Sequence, residues 1–365
     1  VSLFQIDAGR EWRGEERRVL CLARELRRRG YPAHLVVEPD SPLHEKAAAD
    51  GLKVTALRMR SGPKWLNRKR LARMMRKSAC RLAHVHDPLG AAVGLPAAAS
   101  AGVAVRVLSW SAESSPGSGR LPLRDVDAVI APTEGLKKVL VRGGLAGDLV
   151  HVVSMGMDFS PFTEGEPGDF VRRELGFAAG DFVVGVIMPL EDELGHRALL
   201  EAAAIVRERA PKVRIAVLGE GSLRLELDQP EAAGPPDNVR YLMGRRKDLP
   251  EALRSLDMFV VFSHLEGLGG PLLQAMARGL PVAAPEVGSI QEIVLHRETG
   301  LLVPPRKPKP LADAILKVHL DKVLAGRLAE KGREAVLEKY SVESMARKIV
   351  AVYELKAHRK GIKLV

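Results

Sequence analysis

The stretch FSHLEGLGGPLLQAMARGLPVAAP, residues 262–285, decides how the rest of the chain is read. It begins at the end of an apolar run, residues 258–262, that has the composition of a buried strand. A turn follows with Gly267, Gly269, Gly270 and Pro271. Residues 272–278 carry a helical pattern ended by Gly279, with Pro281 beyond, a common stop signal. A short second strand is expected at 282–284. A glycine-rich turn from strand to helix lets backbone come close to a ligand and aims free helix N–H groups at it, a position that anions favour. Glu266 opens this turn, so a carboxylate faces the same place and suits a polyol or sugar hydroxyl. The competing reading is a tight turn whose glycines serve only the backbone angles.

Outward from this stretch, strand and helix patterns alternate in both directions. Upstream strands are expected near 2–6, 33–37, 53–57, 82–86, 103–108, 126–131 and 150–153, with helices between most of them. A polar, turn-forming segment, TEGEPGD at 163–169, breaks the series. A second series follows, with strands near 182–188, 213–219 and 239–243 and helices near 197–209 and 248–255. Beyond the opening stretch come a strand at 301–303 and helices at 310–318, 324–338 and 342–358. Such alternation marks parallel sheets covered by helices on both faces. The expected fold is therefore α/β, with two Rossmann-like doubly wound domains. A chain of 365 residues is also too long for one ordinary core. The limits read as 1–163 and 164–341, with 342–365 as a separate C-terminal helix.

Charge is unevenly placed. The net charge is +11, and residues 1–150 hold 26 Lys and Arg against 15 Asp and Glu, whereas the remainder is balanced at 30 each. The first half should thus meet something acidic: nucleic acid, a membrane surface or an anionic acceptor. Residues 58–81 hold ten basic residues and no acid. Leu71, Met74, Met75, Ala79 and Leu82 fall on one helical face, with Trp65 and Leu66 just before. One reading is a helix packed on the sheet with a solvated basic face. The other is docking to anionic lipid through Trp65, Arg68, Lys69 and Arg73. Nucleic acid is the poorest fit, because aromatics make up only 4% of the chain and stacking platforms are scarce. No run of apolar residues is long enough to span a bilayer. VSLFQIDAGREW at the start reads as a first strand rather than a leader. Cys21 and Cys80 lack metal-ligand spacing and read as reduced core thiols of a cytosolic protein, both within helical patterns. His86 and Asp87 end a buried strand, where ligands of such sheets gather, the alternative being a hydrogen-bonded strand end. The loop at 109–123 is long for a compact domain.

The run EGLGGPLLQAMARGLPVAAPEVGSIQEIV…TGLLVPP resembles family 4 (group 1) of the retaining glycosyltransferases, which have the two-domain GT-B architecture. GREWRGEERRVLCLARELRRRGY, HVHD, DAVIAPTEGLKKVLVRGG and SMGMDFSPF resemble landmarks of the family's first domain, and the likeness covers nearly all of the chain. The subgroup it is most similar to builds bacterial cell-envelope glycans such as lipopolysaccharide. The resemblance implies two Rossmann-like domains facing across a cleft, the last helix crossing back to the first. It implies transfer from a nucleotide-sugar (UDP-, GDP- or ADP-linked) with retention at the anomeric carbon, without a metal or other cofactor. The acceptor, a glycolipid or polysaccharide, would lie mostly on the first domain. Localisation would be cytoplasmic, with peripheral contact at the inner face of the membrane.

Carried over residue by residue, Glu266 takes the first acid of the family's pair, at the donor sugar hydroxyls. Gly267, Leu268, Gly269 and Gly270 form the loop whose backbone meets sugar and phosphates. Gln274 stands where the second acid would hold the ribose hydroxyls, and Gly14 where a paired glycine approaches the donor. Arg245 and Arg246 would border the nucleotide, and His86 and Asp87 would face the acceptor, with Glu266, Asp87 and His86 as the catalytic residues. The arginine and lysine that grip the diphosphate in the family read Pro189 and Leu194 here, with Glu191, Asp192 and Glu193 nearby. His196 and Arg197 are the candidate replacements. Two lost charge-assisted bonds at about 1.5–3 kcal/mol each would weaken the grip by about 3–6 kcal/mol. A catalytically impaired GT-B protein that binds or scaffolds is therefore the alternative function.

Overall fold

The computed structural model describes residues 2–110, 125–187, 195–221, 236–243, 248–262 and 269–364. The chain divides into two compact units, one of Val1–Asp158 with Lys339–Val365 and one of Phe159–Glu338. These divisions differ from the limits of 163 and 341 read from the sequence.

In the first unit the described strands are β1 (Ser2–Asp7), β2 (Ala33–Val37), β3 (Val54–Ala56), β4 (Cys80–Val85), β5 (Val105–Ser109), β6 (Ala128–Ala131) and β7 (Val150–Val152). They form one parallel sheet in the order β3-β2-β1-β4-β5-β6-β7. Between them run α1 (Gly14–Arg28), α2 (Pro42–Ala49), α3 (Lys64–Lys77), α4 (Pro88–Ser100) and α5 (Glu134–Arg142). β1 lies between β2 and β4, with Gln5 level with Leu35 on one side and His84 on the other. The chain reverses its order across the sheet between β1 and β4, the switch point where such sheets gather ligands. Side chains of β1 alternate as a strand requires. Phe4 and Ile6 join Leu71, Met75, Ala83 and Val85 beneath α3 and α4, whereas Leu3 joins Leu22, Leu26, Leu82 and Val105 on the other face.

The second face is closed by the last helix of the chain. Met345, Ala346, Ile349, Val352, Tyr353 and Ala357, spaced three and four apart, bury the inner stripe of Val342–His358 there. Ser341 caps that helix, accepting the N–H of Ser344 at 3.3 Å. Each fully buried aliphatic side chain of this kind contributes about 1.5–3 kcal/mol.

The second unit begins with two short helices, α6 (Ser160–Thr163) and α7 (Phe170–Leu175), on either side of the polar, turn-forming segment at 163–169 that breaks the sequence pattern. Its strands are β8 (Phe182–Ile187), β9 (Val213–Gly219), β10 (Val239–Met243), β11 (Met258–Val260), β12 (Val282–Pro285) and β13 (Leu301–Val303). They pair in parallel in the order β10-β9-β8-β11-β12-β13. The described helices that follow are α8 (His196–Arg209), α9 (Leu249–Arg254), α10 (Gly270–Arg278), α11 (Ile290–Ile293), α12 (Pro308–Leu320) and α13 (Lys322–Tyr340). The last helix, Val342–His358, is α14. Val184, Val186, Ile215, Val217 and Val260 pack with Leu199 and Val206 of α8 and Leu311 and Ile315 of α12. At Gly185 of β8 a Cβ would fall 2.1 Å from Leu256 Cδ1, so any larger residue would require the Leu256 side chain to shift.

Two local expectations are corrected. α3 stops at Lys77, Ala79 sits in the left-handed region (φ 46°), and Cys80 begins β4 rather than ending a helix. Leu71 and Met75 are buried as expected, but Ala79 is exposed and Leu82 belongs to the strand. Cys21 and Cys80 are both free and half-buried. Burial raises both thiols, Cys80 to about 12, so both stay protonated and unreactive. Among the described residues no helix is long and apolar enough to cross a membrane.

Candidate functional site

In the second unit, the turn after β11 leads into α10. Glu266, Gly267 and Leu268 lie outside the described residues, as do Arg245, Arg246, Pro189, Leu194 and the acids 191–193. Gly269 is in the left-handed region (φ 63°) and serves as the cap of α10 without a side-chain hydrogen bond. A side chain there would also crowd Ile293, whose Cδ1 would sit 3.0 Å from a Cβ. Gly270 and Pro271 follow, and the first turn closes when Leu273 N–H donates to Gly269 C=O at 2.9 Å. Leu272, Leu273, Ala275, Met276 and Ala277 are buried and fix the helix on the sheet. Gln274, one turn in, is half-buried. Its Oε1 is shielded from solvent and has no hydrogen-bond partner among the described residues. A buried acceptor of this kind costs free energy until a donor reaches it. Beside the uncapped N–H end of a helix, it suits a ligand that brings hydroxyl donors and an anion together.

The diphosphate candidates on α8 separate. His196 is buried, and its Nε2 meets the hydroxyl of Tyr241 on β10 at 2.8 Å. It belongs to the core of the unit rather than to an open phosphate grip, which corrects the sequence expectation. Arg197, the next residue, is exposed on the first turn of the helix.

In the first unit, the end of β4 also differs from expectation. His86 is 2% exposed, and its Nε2 lies 2.8 Å from Gln5 Oε1. His84 beside it contacts the Tyr353 hydroxyl through Nδ1 at 2.6 Å and Ser109 Oγ through Nε2 at 2.8 Å. Gln5 Nε2 donates to the same tyrosine oxygen at 3.2 Å. Burial pushes both histidines well below their ordinary pKa, and Arg18 adds to this, so both rings are neutral at physiological pH. Asp87 caps α4. Its Oδ1 accepts the N–H groups of Leu89 and Gly90, each at 2.9 Å, and its Oδ2 accepts that of Ala8 at 2.7 Å. Three of its acceptor positions are used by backbone. His86 and Asp87, expected at the acceptor side as catalytic residues, are instead a packed ring and a helix cap.

The loop after β1 holds residues that the sequence reading passed over. Asp7 is 1% exposed and accepts the N–H of Gly9 at 2.9 Å. Burial first, and then the nearby Asp87 carboxylate, raise its pKa to about 8, so Asp7 carries a proton at neutral pH. Glu16 closes a capping box by accepting the N–H of Arg13 at 3.0 Å. A Cβ on Gly9 would fall 2.2 Å from Glu16 Oε1, so Gly9 permits this carboxylate to approach. Gly14, the expected close-approach glycine, starts α1, where a Cβ would make only an ordinary 3.5 Å contact with Met155. The signal for Gly9 was the DAG triplet at the strand end, which carries no long-range information by itself.

On α3 the basic residues divide in use. Arg68 donates from Nε and Nη2 to the carbonyl of Ala92 at 3.1 and 2.9 Å, tying α3 to α4, and so is removed from the expected lipid-facing set. Trp65 is 58% exposed with the Lys69 ammonium 5.2 Å from its ring centre, and Arg73 is exposed on the same helix.

Two family models match the chain: "Glycosyltransferase Family 4" over residues 12–160 and "Glycosyl transferases group 1" over residues 169–335. A GDP-mannose-dependent alpha-mannosyltransferase of Mycobacterium tuberculosis is 28% identical over 80% of each chain. A D-inositol 3-phosphate glycosyltransferase of Corynebacterium urealyticum is 31% identical over 56% of this chain and 50% of its own length. The chain thus spans about half the length of the inositol-phosphate relatives it matches. Among solved structures, HepE of Anabaena in complex with UDP aligns with a TM-score of 0.77 at 20% identity, covering 97% of this chain and all of the other. A glycosyltransferase from Rickettsia africae aligns at 0.79 and 16% identity, over 97% and 98%. With a family model on each half and the same architecture in these neighbours, the chain belongs to glycosyltransferase family 4, group 1, and has the GT-B fold.

Proposed function

We propose that this protein moves a sugar from a nucleotide-sugar donor to a glycan or glycolipid of the bacterial cell envelope, with retention at the anomeric carbon. The observation that carries this reading is the open Oε1 of Gln274 beside the uncapped end of α10. In this arrangement Gln274 accepts a ribose hydroxyl. The backbone from Gly267 to Gly270 meets sugar and phosphate, and Glu266 takes the sugar hydroxyls. Arg245 and Arg246 border the nucleotide, and Arg197 is the cation nearest in sequence to the diphosphate site. The leaving diphosphate is stabilised by these groups and the helix end without a metal. Relatives named as mannosyl- and glycosyltransferases support the reaction class, and a structural neighbour solved with UDP supports the donor class. The comparisons give the binding-only alternative no support.

Calorimetric titration with UDP, GDP, ADP and their sugars tests this. One nucleotide should bind in the micromolar range, and Gln274→Ala should weaken it about tenfold, the worth of one hydrogen bond of about 1.4 kcal/mol. Absence of binding to every nucleotide by the folded protein would sink the transfer reading.

The same proposal places the enzyme at the inner face of the cytoplasmic membrane, held by Trp65, Lys69 and Arg73 of α3. Basic residues near an anionic surface contribute about 1 kcal/mol each. Sedimentation should show binding to phosphatidylglycerol vesicles and little to phosphatidylcholine, with a double reversal of Lys69 and Arg73 to Glu abolishing the difference. Equal binding to both lipids would remove the membrane role.

A further inference from the structure

An open surface pocket of about 320 Å³ in the first unit is lined by Arg10, Pro39, Asp40, Arg58 and Ser61, all exposed except the half-buried Pro39. It lies where the chain leaves the carboxyl ends of β1, β2 and β3, to one side of the switch point between β1 and β4. Three loops meet there and are stitched together by one carboxylate. Glu38, whose side chain is completely buried, accepts the N–H groups of Met59 and Arg60 at 2.5 and 2.7 Å through Oε1, and Arg10 Nη2 at 3.4 Å through Oε2. Arg60 Nη1 donates back to the Ala8 carbonyl at 3.2 Å. Asn67 pins the main chain at the rim by donating from Nδ2 to the carbonyls of Arg58 and Ser61 at 2.5 and 3.2 Å.

The groups left over after this stitching are those that face the cavity. Among the described residues, the Arg58 guanidinium, the Ser61 hydroxyl and the Asp40 carboxylate have no hydrogen-bond or ion-pair partner. Asp40 is held in the left-handed region at φ 56°, which Asp tolerates better than most residues. Arg10 spends one long contact on Glu38 and keeps its other donors open. Two guanidinium groups suit an oxyanion, since their planar donor pairs match phosphate oxygens. A free carboxylate in the same space disfavours a bare anion and suits a ligand that also donates hydroxyls. The volume is that of a small ligand site.

We propose that this cavity binds a phosphorylated sugar or polyol, with its phosphate between Arg10, Arg58 and Ser61 and a hydroxyl donated to Asp40. That this phosphate belongs to the acceptor of the transfer rests on the function proposed above; the cavity and its ligand class do not. Arg10 and Arg58 then select acceptors that carry phosphate, and Asp40 selects those that carry a free hydroxyl beside it.

The test is calorimetric titration of the full chain, without donor, using glucose 6-phosphate, inositol 1-phosphate, inorganic phosphate and glucose. At least one of the sugar or polyol phosphates should bind about tenfold or more tightly than inorganic phosphate, and glucose not measurably. Arg58→Ala should lose about tenfold to a hundredfold, the effect of a charge-assisted bond, and Arg58→Lys should recover part. Asp40→Asn, which tolerates the same backbone, should bring the affinity down toward that of inorganic phosphate. Wild-type affinity in both Arg10→Ala and Arg58→Ala, with unchanged melting, would overturn the proposal, as would equal binding of inorganic and organic phosphates. Vesicles distinguish the source of the phosphate. A preference for phosphatidylinositol over phosphatidylglycerol that Arg58→Ala removes assigns the site to a lipid headgroup, and no such preference assigns it to a free phosphate. UDP titration of the same samples separates the two readings. Nucleotide binding without organic phosphate binding overturns the cavity alone. Arg58-dependent phosphate binding without nucleotide binding overturns the transfer reading alone.

Discussion

Two strand ends in this protein carry polar groups, and they use them in opposite ways. At the ends of β1 and β4, Gln5, His84, His86, Asp87 and Tyr353 bond to one another or to backbone, and of their buried side-chain atoms His86 Nδ1 alone lacks a partner among the described residues. Among the described residues at the start of α10 the polar groups are few, and the acceptor of Gln274 is left open. The first region had the more suggestive sequence, HVHD, and the second the plainer residue, a single glutamine. The difference teaches that a cluster of titratable residues at the right place in the fold is no site when its members have spent most of their bonding capacity on one another and on backbone. Burial that consumes nearly every donor and acceptor makes a core, whatever the residue types.

The largest effect that separates the two regions is expected at Asp7. Its pKa rises on folding from the ordinary 3.8 to about 8, so the folded chain holds a proton that the unfolded chain has released. Stability from this group is therefore complete below about pH 4 and is lost as pH rises toward 8. Asp7→Asn cannot ionise, so its melting temperature should gain steadily on the wild type between pH 4 and pH 8. A gap that stays constant with pH would show that Asp7 is not protonated in the folded state. A smaller effect is expected for Tyr353→Phe, which strips the hydroxyl from His84 and Gln5 and leaves both buried. The cost should be about 1–3 kcal/mol and several degrees of melting temperature, with nucleotide affinity unchanged. If stability holds and nucleotide binding falls instead, the β1–β4 network is functional and the contrast fails. The smallest effect on stability belongs to Gln274→Ala. It should leave melting unchanged or slightly raised while weakening the nucleotide, the reverse pattern to Tyr353→Phe.

Much of the fold was readable because its signals are local. The stop at Gly279 and Pro281, the alternation of apolar strands, and the helix from Val342 to His358 all stand where their residues place them. α6 and α7 escaped because they are only one or two turns long, and Pro, Gly and acidic residues around them resemble a linker. The site was less readable for a different reason. Whether Arg68 is free depends on the carbonyl of Ala92, and whether His84 is free depends on Tyr353, 269 residues away. Side-chain identity announces what a residue can do, but only its neighbours in space decide whether that capacity is already used. Arg10, Asp40 and Arg58 had no motif at all, and only the folded loops bring them to one cavity.

The Tyr353 contact also bears on how the chain is made. Gln5 and Tyr353 meet across 348 residues, so the first unit cannot finish its core until Tyr353 has left the ribosome. The second unit is continuous in sequence and can close earlier. Assembly then runs against the order of synthesis: β1 to β7 wait with one sheet face bare until α14 emerges and seals it. A chain cut short before residue 342 would lose more than a tail, because that face would stay exposed to aggregation.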